Sequence, residues 1–339
     1  TTTSTMTAHL LHSSEVDCAA FLGGISKNYH SNLITTDKSD FVVIEADEYD
    51  RSFLHLEPYI ATITSADPDH LDIYGNKENY LEAFAQFTEK IRENGYLIIH
   101  EGLEVIPRTK PGVKTYTYGR ESGDFHAENI RIGNGQIIYD LVSPIENIAN
   151  IELGVPVEIN IENAIASLAG CYLTGDMQLD KAAEAMGSFM GPKRRFEFWL
   201  KEPGENGRAV IDDYAHHPDE LTASINSVKS LYPDRKITVA FQPHLFSRTR
   251  DFAPEFAAAL SLAHQVILLD IYPARELPIE GVTSQIVFDE ITCSEKVLIE
   301  KGELVEILKN INFEVLLTVG AGDICNYLPQ ICENVVKGK

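Results

Sequence analysis

Carboxylates gather at two places in the first half of the 339-residue chain. An apolar run at 41–44 leads into EADEYD and delivers Glu45, Asp47 and Glu48; a second at 60–64 leads into SADPDHLD and delivers Asp67, Asp69, His70 and Asp72. Oxygen ligands at the carboxyl end of a buried parallel strand suit Mg²⁺, which takes one or two protein oxygens and completes its shell with phosphate and water. Either loop alone reads as readily as a solvated acidic turn, but two successive strands with polar outlets form a pattern. His70, flanked by aspartates, is expected to be a second metal ligand or its neighbour. The opening Thr1-Thr2-Thr3 would, with a Gly-Lys before it, end a phosphate-binding loop whose hydroxyl meets the metal; without one it is an ordinary helical turn.

The second half repeats the design. AVIDDYAHHPDEL brings Asp212, Asp213, Tyr214, His216 and His217 into one turn, and VAFQPHLFSRTRDF releases His244, Arg248 and Arg250 from a strand end. Adjacent histidines lack the spacing that puts two zinc ligands on one helix face, and no HExxH is present. GPKRRF adds Lys193, Arg194 and Arg195. Arginine suits two-pronged contacts to phosphate or carboxylate, although pairing with surplus acids would account for any one of these. TVGAGD, after the last apolar run, is a weak anion-turn signal.

A net charge of −23 repels a polyphosphate backbone, so nucleic acid is not an expected partner. It does not exclude a small phosphate ligand, which needs only a local cluster of arginines and backbone amides. The five cysteines, Cys18, Cys171, Cys293, Cys325 and Cys332, contain no CxxC pair, and they suggest neither a disulfide frame nor a zinc site but a reducing cytoplasm. No apolar run reaches the roughly 18 residues of a membrane span, so no membrane partner is expected. Composition does not reach oligomeric state.

These groups need a frame, and the apolar pattern supplies one. Runs at 41–44, 60–64, 96–99, 209–211, 237–241, 266–269 and 315–319 alternate with helical stretches, which predicts parallel sheets covered by helices, an α/β class. Tyr80, Phe84, Phe87 and Ile91 mark one helix face, and Leu221, Ile225, Val228 and Leu231 mark another behind Pro218. From about Thr115 to Val157 short alternating stretches predict an antiparallel appendage. The length predicts two or three domains, with one boundary near GPKRRFEFW, giving 1–195 and 196–339.

In this order EADEYDRSFLHLEP, DPDHLDIYG, GPKRRFEF, DDYAHHPDE and FQPHLFSRTRD resemble the Mur ligases over essentially the whole chain, and the last two resemble the alanine-adding branch. The resemblance implies a central P-loop-type ATPase domain followed by a Rossmann-like C-terminal α/β domain. It also implies that an N-terminal sugar-nucleotide domain and the P-loop Gly-Lys precede Thr1, so that this piece is expected to be inactive alone. Carried over by motif, Thr1, Glu45 and His70 would hold Mg²⁺, and Asn160 and Asn163 would lie near the adenine of ATP. Arg195 would reach phosphate, Asp213 and Tyr214 would flank the nucleotide, and His216, His244 and Arg248 would face the muramoyl substrate. The implied substrates are UDP-N-acetylmuramate and L-alanine, joined through an acyl phosphate. A ligase that recycles murein peptides onto the same sugar nucleotide, or a nucleotide-binding regulator without activity, remains an alternative. Ile159, Ser65 and Leu245 depart from the His, Asn and Arg frequent in the family.

Overall fold

The computed structural model describes residues 1–68, 71–175, 179–204, 207–311 and 313–337. They fall into two compact units, one of Thr1–Arg131 with Gln136–Lys193 and one of Ile132–Gly135 with Arg194–Lys339.

The first unit opens with helix α1 (Thr2–His12). Threonine is a mediocre helix former, so the helix rests on burial of Met6, Ala8, Leu10 and Leu11, and the Thr5 and Thr7 hydroxyls donate back to the carbonyls of Thr1 and Thr3. Strand β1 (Ala19–Ser26) pairs antiparallel with β2 (Ser31–Ile34) and parallel with β3 (Val42–Ile44). Strands β4 (Ile60–Ile63), β5 (Tyr96–His100) and β6 (Lys114–Tyr118) form a parallel sheet. Between β4 and β5 come α2 (Leu71–Tyr74) and α3 (Lys77–Glu89), the latter capped by Asn76. Tyr80, Phe84 and Phe87 are buried as expected, and Ile91 is buried just beyond the helix end.

Strands β7 (His126–Gly133), β8 (Gln136–Val142) and β9 (Ile148–Glu152) form a separate sheet, with β8 and β9 antiparallel. This corrects the extent of the expected appendage: Lys114–Tyr118 belongs to the parallel sheet. As an edge strand β6 exposes Lys114 and Thr115, and edge exposure imitates the alternation of an antiparallel strand. Helices α4 (Ile159–Tyr172) and α5 (Leu179–Met186) complete the unit, α4 packing along α1.

The second unit runs β10 (Glu197–Lys201), β11 (Ala209–Asp213), α6 (Pro218–Leu231), β12 (Ile237–Phe241), α7 (Phe246–Asp251), α8 (Ala253–Leu260), β13 (Gln265–Leu269), α9 (Gln285–Glu290), β14 (Glu295–Ile299), α10 (Leu304–Asn310), β15 (Val315–Val319) and α11 (Leu328–Lys337). Its sheet order is β10-β11-β15-β12-β13-β14. Only β10 is antiparallel to its neighbour. Every residue of β12 and β15 is buried, which is why these strands read as unbroken apolar runs. Leu221, Ile225, Val228 and Leu231 are buried on α6. The α/β class with parallel sheets, expected from the alternating runs, is the class observed. In such sheets the carboxyl ends of the strands share one edge; β11 and β12 lead there into the segments that carry His216 and His244.

Candidate functional site

In the first unit the start of α1 meets the end of β3. The Thr1 hydroxyl donates to Glu45 Oε1 at 2.7 Å, while Glu45 Oε2 accepts from the Gly23 amide at 2.8 Å and the Ser4 hydroxyl at 3.2 Å. Gly23 makes room for this: a β carbon there would stand 2.4 Å from Glu45 Oε1. Neither Gly23 nor Ser4 was singled out from sequence, although a glycine inside a strand signals close approach of another group. The donor set is two hydroxyls and a carboxylate, hard oxygens of the kind Mg²⁺ prefers, so these residues fit that ion. The Thr3 hydroxyl on α1 donates to Asn163 Oδ1 at 2.8 Å, Asn163 Nδ2 donates to Asn160 Oδ1 at 2.9 Å, and Asn160 Nδ2 donates to the Val155 carbonyl at 3.0 Å. A polar chain therefore links both asparagines to helix α1, whose N-cap is Thr1.

Asp69 and His70 lie outside the described residues. Asp47 accepts from the Tyr49 amide within its own turn, and Asp67 accepts from the Ser65 hydroxyl. Ala46, Glu48, Thr62, Thr64, Ser65 and Asp67 are among the residues lining a cavity of about 390 Å³.

In the second unit the two aspartates ending β11 are internal. Asp212 accepts from the Thr318 hydroxyl at 2.7 Å and from Arg194 Nε at 3.3 Å. Burial nevertheless pushes its carboxyl up to about 6, against the opposing effects of Thr318 and Arg194. Asp213 accepts from the Ser224 hydroxyl and from the amides of Phe196 and Tyr214, and burial also raises it. Its carboxylate is thus engaged by protein groups and holds the loop that presents Tyr214. Of the arginine pair, Arg194 donates to the carbonyls of Gly320 and Gly322 and lies 4.8 Å over the Tyr214 ring, while Arg195 is exposed. The glycine turn at 320–322 therefore offers carbonyls to an arginine, and Asp323 pairs with Lys301 at 2.7 Å.

The two adjacent histidines have separate tasks. His217 caps α6, its Nδ1 accepting from the Asp219 amide in a reciprocal capping box with Glu220. His216 sits edge-on to Tyr214, with Nδ1 3.1 Å from the Tyr214 carbonyl and 3.3 Å from Glu220 Oε2. Both partners are acceptors, so Nδ1 carries the proton and Nε2 is the acceptor when the ring is neutral. Glu220 was missed from sequence, although the spacing HHPDE is that of a capping box. Among the described residues no group of three or more His, Cys, Asp and Glu is arranged to hold a metal ion.

His244 follows β12, its ring stacked on Tyr272 at 5.8 Å and 6.2 Å from His216. Arg248 lies within α7 rather than emerging from the strand end, and Arg250 turns to Asp251, 2.7 Å away. His244 Nδ1 and Arg248 Nη1 are both buried without a hydrogen-bond partner. Burial lowers the His244 pKa, reinforced by Arg248 and His216 and opposed by Glu276. A neutral imidazole thus stands beside a permanent guanidinium with a donor to spare. Such an unmet buried donor is costly until an acceptor satisfies it, and a carboxylate or phosphate oxygen is an acceptor suited to a guanidinium.

The two α/β units carry carboxylate, hydroxyl and guanidinium groups at strand ends and on the helices beside them, a set of groups suited to phosphate and carboxylate chemistry. The model of the Mur ligase middle domain matches residues 1–171, and that of the Mur ligase glutamate ligase domain matches residues 194–325. The chain is 56% identical over 334 residues to the UDP-N-acetylmuramate–L-alanine ligase of Phocaeicola vulgatus, covering 98% of this chain and 72% of that protein. It is 55% identical over 338 residues to the enzyme of the same name from Parabacteroides distasonis, covering 99% and 72%. The crystal structure of the UDP-N-acetylmuramate–alanine ligase of Thermotoga maritima superposes with a TM-score of 0.78 at 29% identity, covering 100% of this chain and 74% of that one. The chain belongs to the Mur ligase family, whose members are ATP-dependent ligases.

Proposed function

We propose that the chain supplies two units of an ATP-dependent ligase that joins L-alanine to the carboxylate of UDP-N-acetylmuramate in peptidoglycan precursor synthesis. The observation that carries the reading is the buried, unpartnered Nη1 of Arg248 beside the neutral ring of His244, the receptor that an acceptor carboxylate and its acyl phosphate need. High identity to ligases named for this reaction supports the choice of alanine.

In the proposed reaction the substrate carboxylate takes the γ-phosphoryl group of ATP, and ADP leaves with the bonding pair of the broken β–γ anhydride bond. The alanine amine then attacks the acyl carbon, phosphate leaves with the bonding pair, and the amine gives up its proton. Thr1 and Glu45, with His70, would hold Mg²⁺, which when bound neutralises charge on the phosphates. Arg195 at the surface is free to reach phosphate, Asn160 and Asn163 border the adenine, and Asp213 acts by fixing the loop of Tyr214. Arg248 binds the carboxylate in the fork geometry open to guanidinium. His244, kept neutral, and His216, with Nε2 available, are acceptors for the proton the amine must lose. The cytoplasm is the proposed location: the five cysteines are free thiols, and among the described residues no helix is long and apolar enough to cross a membrane.

The test is phosphate release by the full-length protein with Mg-ATP and UDP-N-acetylmuramate, with L-alanine, a muropeptide or no acceptor. Release that depends on L-alanine and vanishes in Glu45→Ala is expected. Dependence on the muropeptide would replace the substrate assignment, and silence in all mixtures would end the ligase reading.

A further inference from the structure

Helix α7 has six residues and begins after Leu245, whose φ of 70° and ψ of 136° put a branched side chain in a region that favours glycine. Leucine has no oxygen to offer the first-turn amides, which every helix leaves unpaired. A helix this short is not stable by itself, so contacts from elsewhere set where it starts and where it points. Besides its packing on α8, the contacts at its start come from one loop, residues 270–284, between β13 and α9. Tyr272 donates its amide to the Pro243 carbonyl at 2.8 Å and accepts from the Leu245 amide at 2.9 Å, while its ring stacks on His244. Four residues on, the Glu276 carboxylate accepts from the Ser247 amide at 2.9 Å and from the Ser247 hydroxyl.

We propose that Glu276 is a positioning residue for His244 and Arg248: it caps α7 from outside the helix and so fixes the direction in which the guanidinium and the imidazole meet the acceptor carboxylate. The inference rests on the function proposed above. The surroundings of Glu276 favour this role over general support of the fold, because Pro273, Ala274, Arg275 and Leu277 are all exposed, Leu277 at 84%. The loop contributes little to the core at that point. Removing the carboxylate therefore frees the start of α7 without opening the sheet beneath.

The experiment uses the full-length enzyme as wild type, Glu276→Gln and Glu276→Ala, with thermal unfolding, steady-state kinetics for each substrate, and hydrogen exchange of the amides at 246–250. Misplacing a substrate-binding group by about 1 Å can cost about 100-fold in rate. The expected result is a fall of about 10- to 100-fold in kcat/KM for UDP-N-acetylmuramate in Glu276→Ala, with a smaller fall in Glu276→Gln, which keeps one acceptor oxygen. KM for ATP stays unchanged, the unfolding temperature moves by less than about 4 °C, and exchange in α7 quickens. Wild-type kinetics in Glu276→Ala, or equal losses for every substrate, would overturn the proposal. If the wild type itself shows no alanine-dependent phosphate release, the reaction assignment fails separately, and the exchange comparison decides the cap alone: faster exchange upholds Glu276 as the group that sets α7, and unchanged exchange ends the proposal.

Discussion

The β carbon that Gly23 lacks would lie 2.4 Å from Oε1 of Glu45, closer than any real contact allows. Gly23→Ala is therefore expected to displace the carboxylate that the Thr1 hydroxyl meets, while the alanine itself suits a strand no worse than glycine. Alanine-dependent phosphate release should fall about 100-fold, with little change in unfolding free energy, because Gly23 is exposed and the carboxylate is the end of a flexible side chain that can swing aside. Wild-type turnover in this variant would show that the position of Glu45 does not matter.

Arg248→Lys keeps the charge and loses the planar fork. The loss in kcat/KM for UDP-N-acetylmuramate is expected to be about 10- to 100-fold, with KM for ATP unchanged, because a point charge does not replace a two-pronged contact. Steady-state assays varying one substrate at a time separate the two constants, and an equal rise in KM for ATP would contradict the assignment.

Asp212 gives a pH dependence with a definite sign. Burial raises its folded-state pKa from 3.8 to about 6. Between those values the folded protein keeps a proton that the unfolded chain releases. The contribution is full below about pH 3.8 and is lost as pH rises through 6, by up to about 3 kcal/mol. Urea unfolding of wild type and Asp212→Asn at pH 4.5 and pH 7 should show that the wild type loses more stability over this interval than the variant. Parallel losses would mean that Asp212 ionises at an ordinary pH.

Ser224→Ala removes a hydroxyl donor from the buried carboxylate of Asp213. An unfolding free energy lower by about 1–3 kcal/mol is expected, together with a raised KM for ATP as the loop bearing Tyr214 loosens. Unaltered denaturant midpoints would show that the two amide donors suffice.

The frame was largely readable from the sequence because burial on both faces forces unbroken apolar runs, as in 237–241 and 315–319, and helical periodicity exposes faces such as that of Leu221 and Ile225. The edge strand at Lys114–Tyr118 was not, since half-exposure erases the difference between parallel and antiparallel pairing. The polar clusters were legible as clusters, but the assignment of tasks within them was not. Nothing in KRRF tells that Arg194 binds the carbonyls of Gly320 and Gly322 while Arg195 stays exposed, or that Asp213 turns inward to Ser224. Those choices depend on partners far along the chain, as do the approach of Gly23 to Glu45 and that of Glu276 to Ser247. Glu220 left a local trace, through its spacing from the cap His217, and Gly23 another, as a glycine within a strand.

Strand β15 lies between β11 and β12, and each of those pairs with it residue by residue. A nascent chain that has not yet delivered residues 315–319 thus holds two hydrophobic strands whose shared neighbour does not exist. Their unpaired edges are open to wrong partners, and contacts this distant in sequence form slowly. The C-terminal unit is therefore committed to assembling late during synthesis, and a ribosome stalled before β15 presents a substrate for chaperones rather than a folded half-domain.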